Sequence, residues 1–151
     1  MSLEPFKFDS IAETQNNNDK VFALEEAMLD LNAKQVFLPV DEFLINGMYA
    51  RIMHIPKGVV ATGSVSKEPH FIALLKGDMS VMTKEGVVRI TAPMFNISPA
   101  WVKRAGYAHE DSSFLTVHRT EKKNYEDAED DIFVGVEELY SEWVKKCQAL
   151  G

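Results

Sequence analysis

Apolar residues recur at every second position through the middle of the chain and at every third or fourth position near its ends. The clearest alternation is MYARIMHI at 48–55, where Met48, Ala50, Ile52 and His54 share one face and Tyr49, Arg51 and Met53 the other. The first of these faces is taken to turn into the protein, carrying His54 with it. Downstream, VVATGSV, HFIALL, MSVM, VVRITA, MFNIS, WVKRAGYA and SSFLTVHRT read as further short strands. They are separated by Pro56-Lys57-Gly58, Lys76-Gly77-Asp78, Lys84-Glu85-Gly86, Pro99-Ala100 and His109-Glu110-Asp111. Turns at this interval mark an antiparallel sandwich or barrel and exclude βαβ units. Upstream, QVFLPV carries Pro39 and reads as an edge strand or strand end before the Asn46-Gly47 turn.

The ends of the chain have a different period. From Asp19, DKVFALEEAMLDLNAK sets Val21, Leu24, Met28 and Leu31 on one helical face, with Asp19 suited to cap the start and Asn32 the end. Residues 1–18, with Pro5 and the Asn16-Asn17-Asn18 run, show no sustained period and read as a flexible arm; Phe6 and Phe8 are apolar enough to pack on a neighbour. Residues 121–131 are mostly charged and read as a solvated linker or the exposed start of a helix. After them, IFVGVEELYSEWVKKCQALG aligns Ile132, Val136, Leu139, Tyr140, Trp143, Cys147 and Leu150 on one stripe. That stripe packs on its own domain or on another subunit. The organisation expected is an arm (1–18), a β-domain with a leading helix (19–120), and an acidic linker with a C-terminal amphipathic helix (121–151).

Composition narrows the function classes. With 151 residues, 46% hydrophobic, the chain is long enough to bury a core without a metal or disulfide staple. A net charge of −7 argues against a general phosphate-backbone binder, so no nucleic-acid partner is expected. Cys147 is the only cysteine, which removes intrachain disulfides and Cys-rich zinc sites. No apolar run approaches the ~18 residues a bilayer span requires, and a cytoplasmic protein without a membrane partner is expected. There is no nucleophile elbow and no phosphate-binding glycine loop.

Two blocks, TGSVSKEPHFIALLKG (62–77) and APMFNISPAWVKRAGYAHEDSSFLTVH (92–118), carry the chemistry. Their spacing resembles the cupin superfamily. More narrowly, KEPHFIALLKGDMSVMTKEG, ISPAWVKRAGYAHED and TVHRT make the chain similar to small stand-alone cupin-like proteins of tailed bacteriophages and prophages. The resemblance covers about residues 36–120 and implies a mainly β, cupin-like (jelly-roll) barrel, here with an N-terminal and a C-terminal helix. Anchored on Gly77, it puts Ser64 and Ser66 at the two histidine positions of the first motif and His70 at its glutamate. Anchored on Pro99, it puts Trp101 at the second-motif glycine and Arg104 at its histidine.

Of the four metal ligands so implied, only His70 keeps a ligand type, and Arg104 brings a permanent cation where a metal needs an electron donor. The leading expectation is a noncatalytic or accessory protein that binds a small anion in the barrel mouth. In it Arg104 pairs with the anion, His70 and His54 donate hydrogen bonds, Tyr107 or Trp101 lines the rim, and no cofactor is required. Two alternatives stay open. One is a metal-dependent cupin enzyme with a divalent transition metal on His54, His70 and His118; the other is a structural protein of a virion or complex. A homo-oligomer, with a dimer as default, is expected without a choice of interface.

Overall fold

The computed structural model describes residues 11–30, 36–83, 86–135 and 138. A helix, α1 (Ile11–Asp30), leads into β1 (Val40–Ile45), β2 (Met48–Ile55), β3 (Val60–Thr62), β4 (His70–Lys76) and β5 (Asp78–Thr83). Then come β6 (Gly86–Thr91), β7 (Met94–Ser98), β8 (Ala105–Ala108), β9 (Ser112–Arg119) and a short helix, α2 (Tyr125–Ile132).

The strands form two antiparallel sheets, a five-stranded one in the order β1-β2-β9-β4-β7 and a four-stranded one in the order β3-β8-β5-β6. Among the described residues no strand pair joins the two, so both are open, and the closed barrel expected from the sequence is corrected to a two-sheet sandwich. The alternating pattern is the same for both architectures, because period two reports which face is buried and not whether the last strand bonds to the first. From β2 onward the chain crosses between sheets at almost every connection, with only β5 and β6 forming a hairpin within one. The core lies between the inner faces: Ile55 and Leu74 from the larger sheet meet Ala61, Met79, Val81, Ile90 and Ala108 from the smaller.

β2 occupies the span read from the sequence, but its faces are reversed. Arg51, Met53 and Ile55 line the interior, whereas His54 is on the outer face, bonded to Asp41 Oδ2 at 2.7 Å and Ser113 Oγ at 3.0 Å. β1 begins after Pro39 as the edge of the larger sheet and joins β2 through Asn46-Gly47, with Gly47 at φ 87°.

α1 starts at Ile11, inside the stretch read as an arm, so Asp19 is an interior helical residue and not a cap. Asn18 fixes the helix to the β-domain: its Nδ2 donates to the Trp101 carbonyl (2.7 Å) and its Oδ1 accepts from the Lys103 amide (2.6 Å). Val21 and Phe22 are buried, and Lys103 reaches Glu25 at 2.9 Å with its ammonium over the Phe22 ring.

α2 lies within the charged run. Asn124 caps it by accepting from the Asp127 amide at 2.9 Å, and Glu126 and Asp127 stand at its positive end. Ala128 and Ile132, four apart on one face, bury against Tyr49. The helix stops at Phe133, whose backbone is extended, where the chain pairs with Ser66. Ile132 therefore closes one helix and does not open the next. Residues 133–135 are not helical; beyond them, apart from Glu138, which is helical, the expected C-terminal helix lies outside the described residues, as do Phe6, Phe8, Leu31 and the expected cap Asn32.

Candidate functional site: a cationic cavity between the sheets

Between the sheets, at the end covered by the 63–69 loop and Phe133, is an open cavity of about 110 Å³. Strand register grades its wall. On the larger sheet Met53 pairs with Phe114, Arg51 with Thr116, and Tyr49 with His118, so an apolar floor gives way to a polar mouth along β2 and β9. Met79, Val81 and Ala105 supply the opposite wall, with Val102 and Phe133 also apolar.

Four polar side chains dominate the mouth: Arg51, Arg104, His70 and His118. His70 and His118 stack with ring centroids 4.3 Å apart. Burial, together with the Arg104 charge, holds the His70 pKa down to about 4 against one hydrogen bond to the Glu68 carbonyl. Since a carbonyl only accepts, that bond (3.2 Å) makes Nδ1 the protonated nitrogen of neutral His70 and leaves Nε2 as an acceptor. His118 is lowered to about 3 by burial, with His70 and Arg51 adding to the effect. Both rings are therefore neutral at pH 7.

The arginines remain cations. Burial lowers Arg104 to about 10, and its Nη2 donates to Ser98 Oγ. Arg51 lies over the Phe133 ring at 5.7 Å, and its buried Nε has no hydrogen-bond partner among the described residues. Glu42 and Glu129 interact with Arg51, but they gather around the Tyr49 hydroxyl and are not part of the cavity wall. Among the described lining residues there are two arginines and no carboxylate.

The residues singled out from the sequence divide as follows. Arg104, His70, Ser64 and Ser66 all line the cavity, and His118 joins them. His54 is on the opposite face of its sheet, so His54, His70 and His118 do not converge. Tyr107 is exposed on the outer face of the smaller sheet, edge-on to His109 at 4.9 Å. Trp101 is half-exposed and not in the wall, yet its φ of 67° is the left-handed conformation that a glycine adopts without strain. It is held there by its amide bond to the Ser66 carbonyl at 2.8 Å and by Asn18. Arg51 was missed as a site residue; the only signal was its place in the alternation with Met53 and Ile55.

No group of three or more His, Cys, Asp or Glu side chains among the described residues is arranged to hold a metal ion. The cavity's donor set fits one poorly, since two guanidinium groups share the mouth with the two imidazoles.

No family model matches the chain, and no curated protein does. Solved structures similar to part of it include a cupin superfamily protein from Desulfitobacterium hafniense, at 9% identity and TM-score 0.47, covering 58% of this chain and 81% of that one. A cupin domain from Bordetella pertussis follows at 14% identity and TM-score 0.46, covering 58% and 97%. Salicylate 1,2-dioxygenase from Pseudaminobacter salicylatoxidans shares 10% identity at TM-score 0.47 over 66% of this chain and 32% of its own. None of these three is described as a phage protein, and likeness at this level transfers neither activity nor ligand. No helix among the described residues is long and apolar enough to cross a membrane.

Proposed function

We propose that the chain is a small-molecule binding protein whose ligand is a small organic carboxylate, held in the cavity between the sheets. The observation that carries this reading is the buried Arg51 Nε, which has no hydrogen-bond partner among the described residues and shares with Arg104 a cavity wall in which no described residue is a carboxylate. A buried donor left unmade costs about 1–3 kcal/mol, and a carboxylate oxygen would recover that cost. The apolar floor of Met53, Phe114, Met79 and Val81 favours an anion with a hydrocarbon body over inorganic phosphate. A volume of about 110 Å³ suits a short branched acid of the size of isobutyrate. The free nitrogen of neutral His70, Nε2, only accepts, so both carboxylate oxygens fall to the two guanidinium groups.

Calorimetric titration with isobutyrate, isobutyramide and phosphate tests this. The acid is expected to bind, the isosteric amide and phosphate to bind at least about 10-fold more weakly, and Arg51→Met or Arg104→Met to lose about 10- to 100-fold in isobutyrate affinity. Equal affinity for acid and amide, or no loss in either variant, would overturn the reading.

A further inference from the structure

The outer face of the five-stranded sheet carries a broad apolar patch, with His54 of β2 and Arg119 of β9 at its borders. One row of side chains crosses all five strands as Phe43, Ala50, Val117, Phe71 and Ile97. The next crosses as Asp41, Ile52, Leu115, Ala73 and Phe95. The two rows hold a single charged residue, Asp41, and its carboxylate is paired with His54 at 2.7 Å. Phe71 and Phe95 stack on this face at 5.5 Å.

Seven large side chains here, the four of these rows at β1, β4 and β7 together with Ile45, Met48 and Leu75, are each 45–60% exposed. At roughly 100 Å² apiece they present about 700 Å², beyond the apolar patch of an ordinary monomer and close to the ~800 Å² that each partner contributes to a standard interface.

We infer that a second copy of this chain covers the face, in a symmetric dimer whose twofold axis runs along the central strand, β9. The row composition supports that axis. With β9 on the twofold, β2 of one copy lies over β4 of the other, so Ala50 receives Phe71 of the partner subunit and Ile52 covers Ala73 of the partner subunit. On β2 and β4 each large side chain thereby meets a small one, Leu115 and Val117 meet their own twins, and at the edges Phe43 faces Ile97 of the partner subunit and Asp41 faces Phe95 of the partner subunit. Facing sheets pack about 10 Å apart with strands crossing at about 30°, which keeps this correspondence for the central strands. The contact is isologous and closes at two copies.

Sedimentation equilibrium on the full chain tests the proposal. The wild type is expected to be a dimer, and Phe71→Glu, at an exposed position, to weaken it by roughly 30-fold or more while circular dichroism stays unchanged. Adding Ala50→Lys to Phe71→Glu is expected to restore the dimer. Within one chain the two positions are two strands, about 10 Å, apart and their charges can pair directly, so the axis is read also from a mixture of the single variants Phe71→Glu and Ala50→Lys, where opposite charges meet only across the twofold of a mixed dimer. A monomeric wild type, as when residues 136–151 of the same chain cover the face, or a dimer indifferent to Phe71→Glu, would overturn the proposal. Dissociation without rescue by Ala50→Lys would overturn the axis.

Discussion

Lowering the pH from 7 to 5 should destabilise this protein through two residues, His70 and His118. Each has a native pKa, about 4 and about 3, below the ordinary 6.5 of an unfolded chain, chiefly because burial disfavours the charged ring. When the native value is the lower one, the unfolded chain takes up the proton first. The stabilisation is complete above about pH 6.5 and is lost as the pH falls toward the native values. At pH 5 each ring accounts for about 2 kcal/mol, since protonation of the unfolded chain gains about 1.4 kcal/mol for every pH step below 6.5. Their sum, about 4 kcal/mol, is a sizeable fraction of a domain's total stability. Glu129, which the neighbouring Glu42 carboxylate raises above its usual value, works in the opposite direction, holding its proton more tightly when folded. Urea unfolding followed by tryptophan fluorescence at pH 7 and pH 5 measures the difference, and imidazole proton resonances read the two rings directly. Equal stabilities at both pH values, or either ring titrating near 6.5, would refute the burial argument.

Two substitutions probe how the scaffold is held. Gly77→Ala should cost about 3 kcal/mol or more, because Gly77 sits at φ 107° and a Cβ there would lie 2.1 Å from Ser112 Oγ; Gly58→Ala, at φ 84° with nothing within 4 Å, should cost only about 1–2 kcal/mol, and equal urea midpoints would contradict the reasoning. Tyr49→Phe removes the hydroxyl that donates to Glu42 at 2.7 Å and reaches Glu129 at 3.4 Å, tying α2 to β1 and β2; a loss of about 1.5–3 kcal/mol is expected, and unchanged hydrogen exchange in residues 125–132 would count against it.

The strands were legible because period two is a local property: MYARIMHI and MFNIS are β2 and β7, and SSFLTVHRT runs one residue past the end of β9. Closure was not legible, since it depends on which strands bond across the ends of each sheet. The facing of β2 is not written in its hydropathy: Met48, Ala50 and Ile52 are as apolar as Tyr49, Met53 and Ile55, so the pattern alone does not say whether His54 or Arg51 turns inward. His118 lies on a strand with apolar residues on both faces, Phe114 and Leu115 among them, and it faces inward, where it stacks on His70. Asn18, inside the stretch expected to be an arm, and Lys103 take their places from partners more than 70 positions away in sequence, which no local pattern records. In the charged run, the only sign of a docked helix was the spacing of Ala128 and Ile132.

The central claim is that Arg51 and Arg104 jointly receive a carboxylate. The most direct measurement is a nitrogen-15 spectrum of the arginine side-chain Nε–H groups as isobutyrate is added. The Arg51 and Arg104 resonances are expected to shift together and saturate, while Arg89, already bound to Asp78 at 2.8 Å on the surface, stays in place. Shifts confined to surface arginines, or an Arg51 resonance indifferent to saturating acid, would contradict the claim.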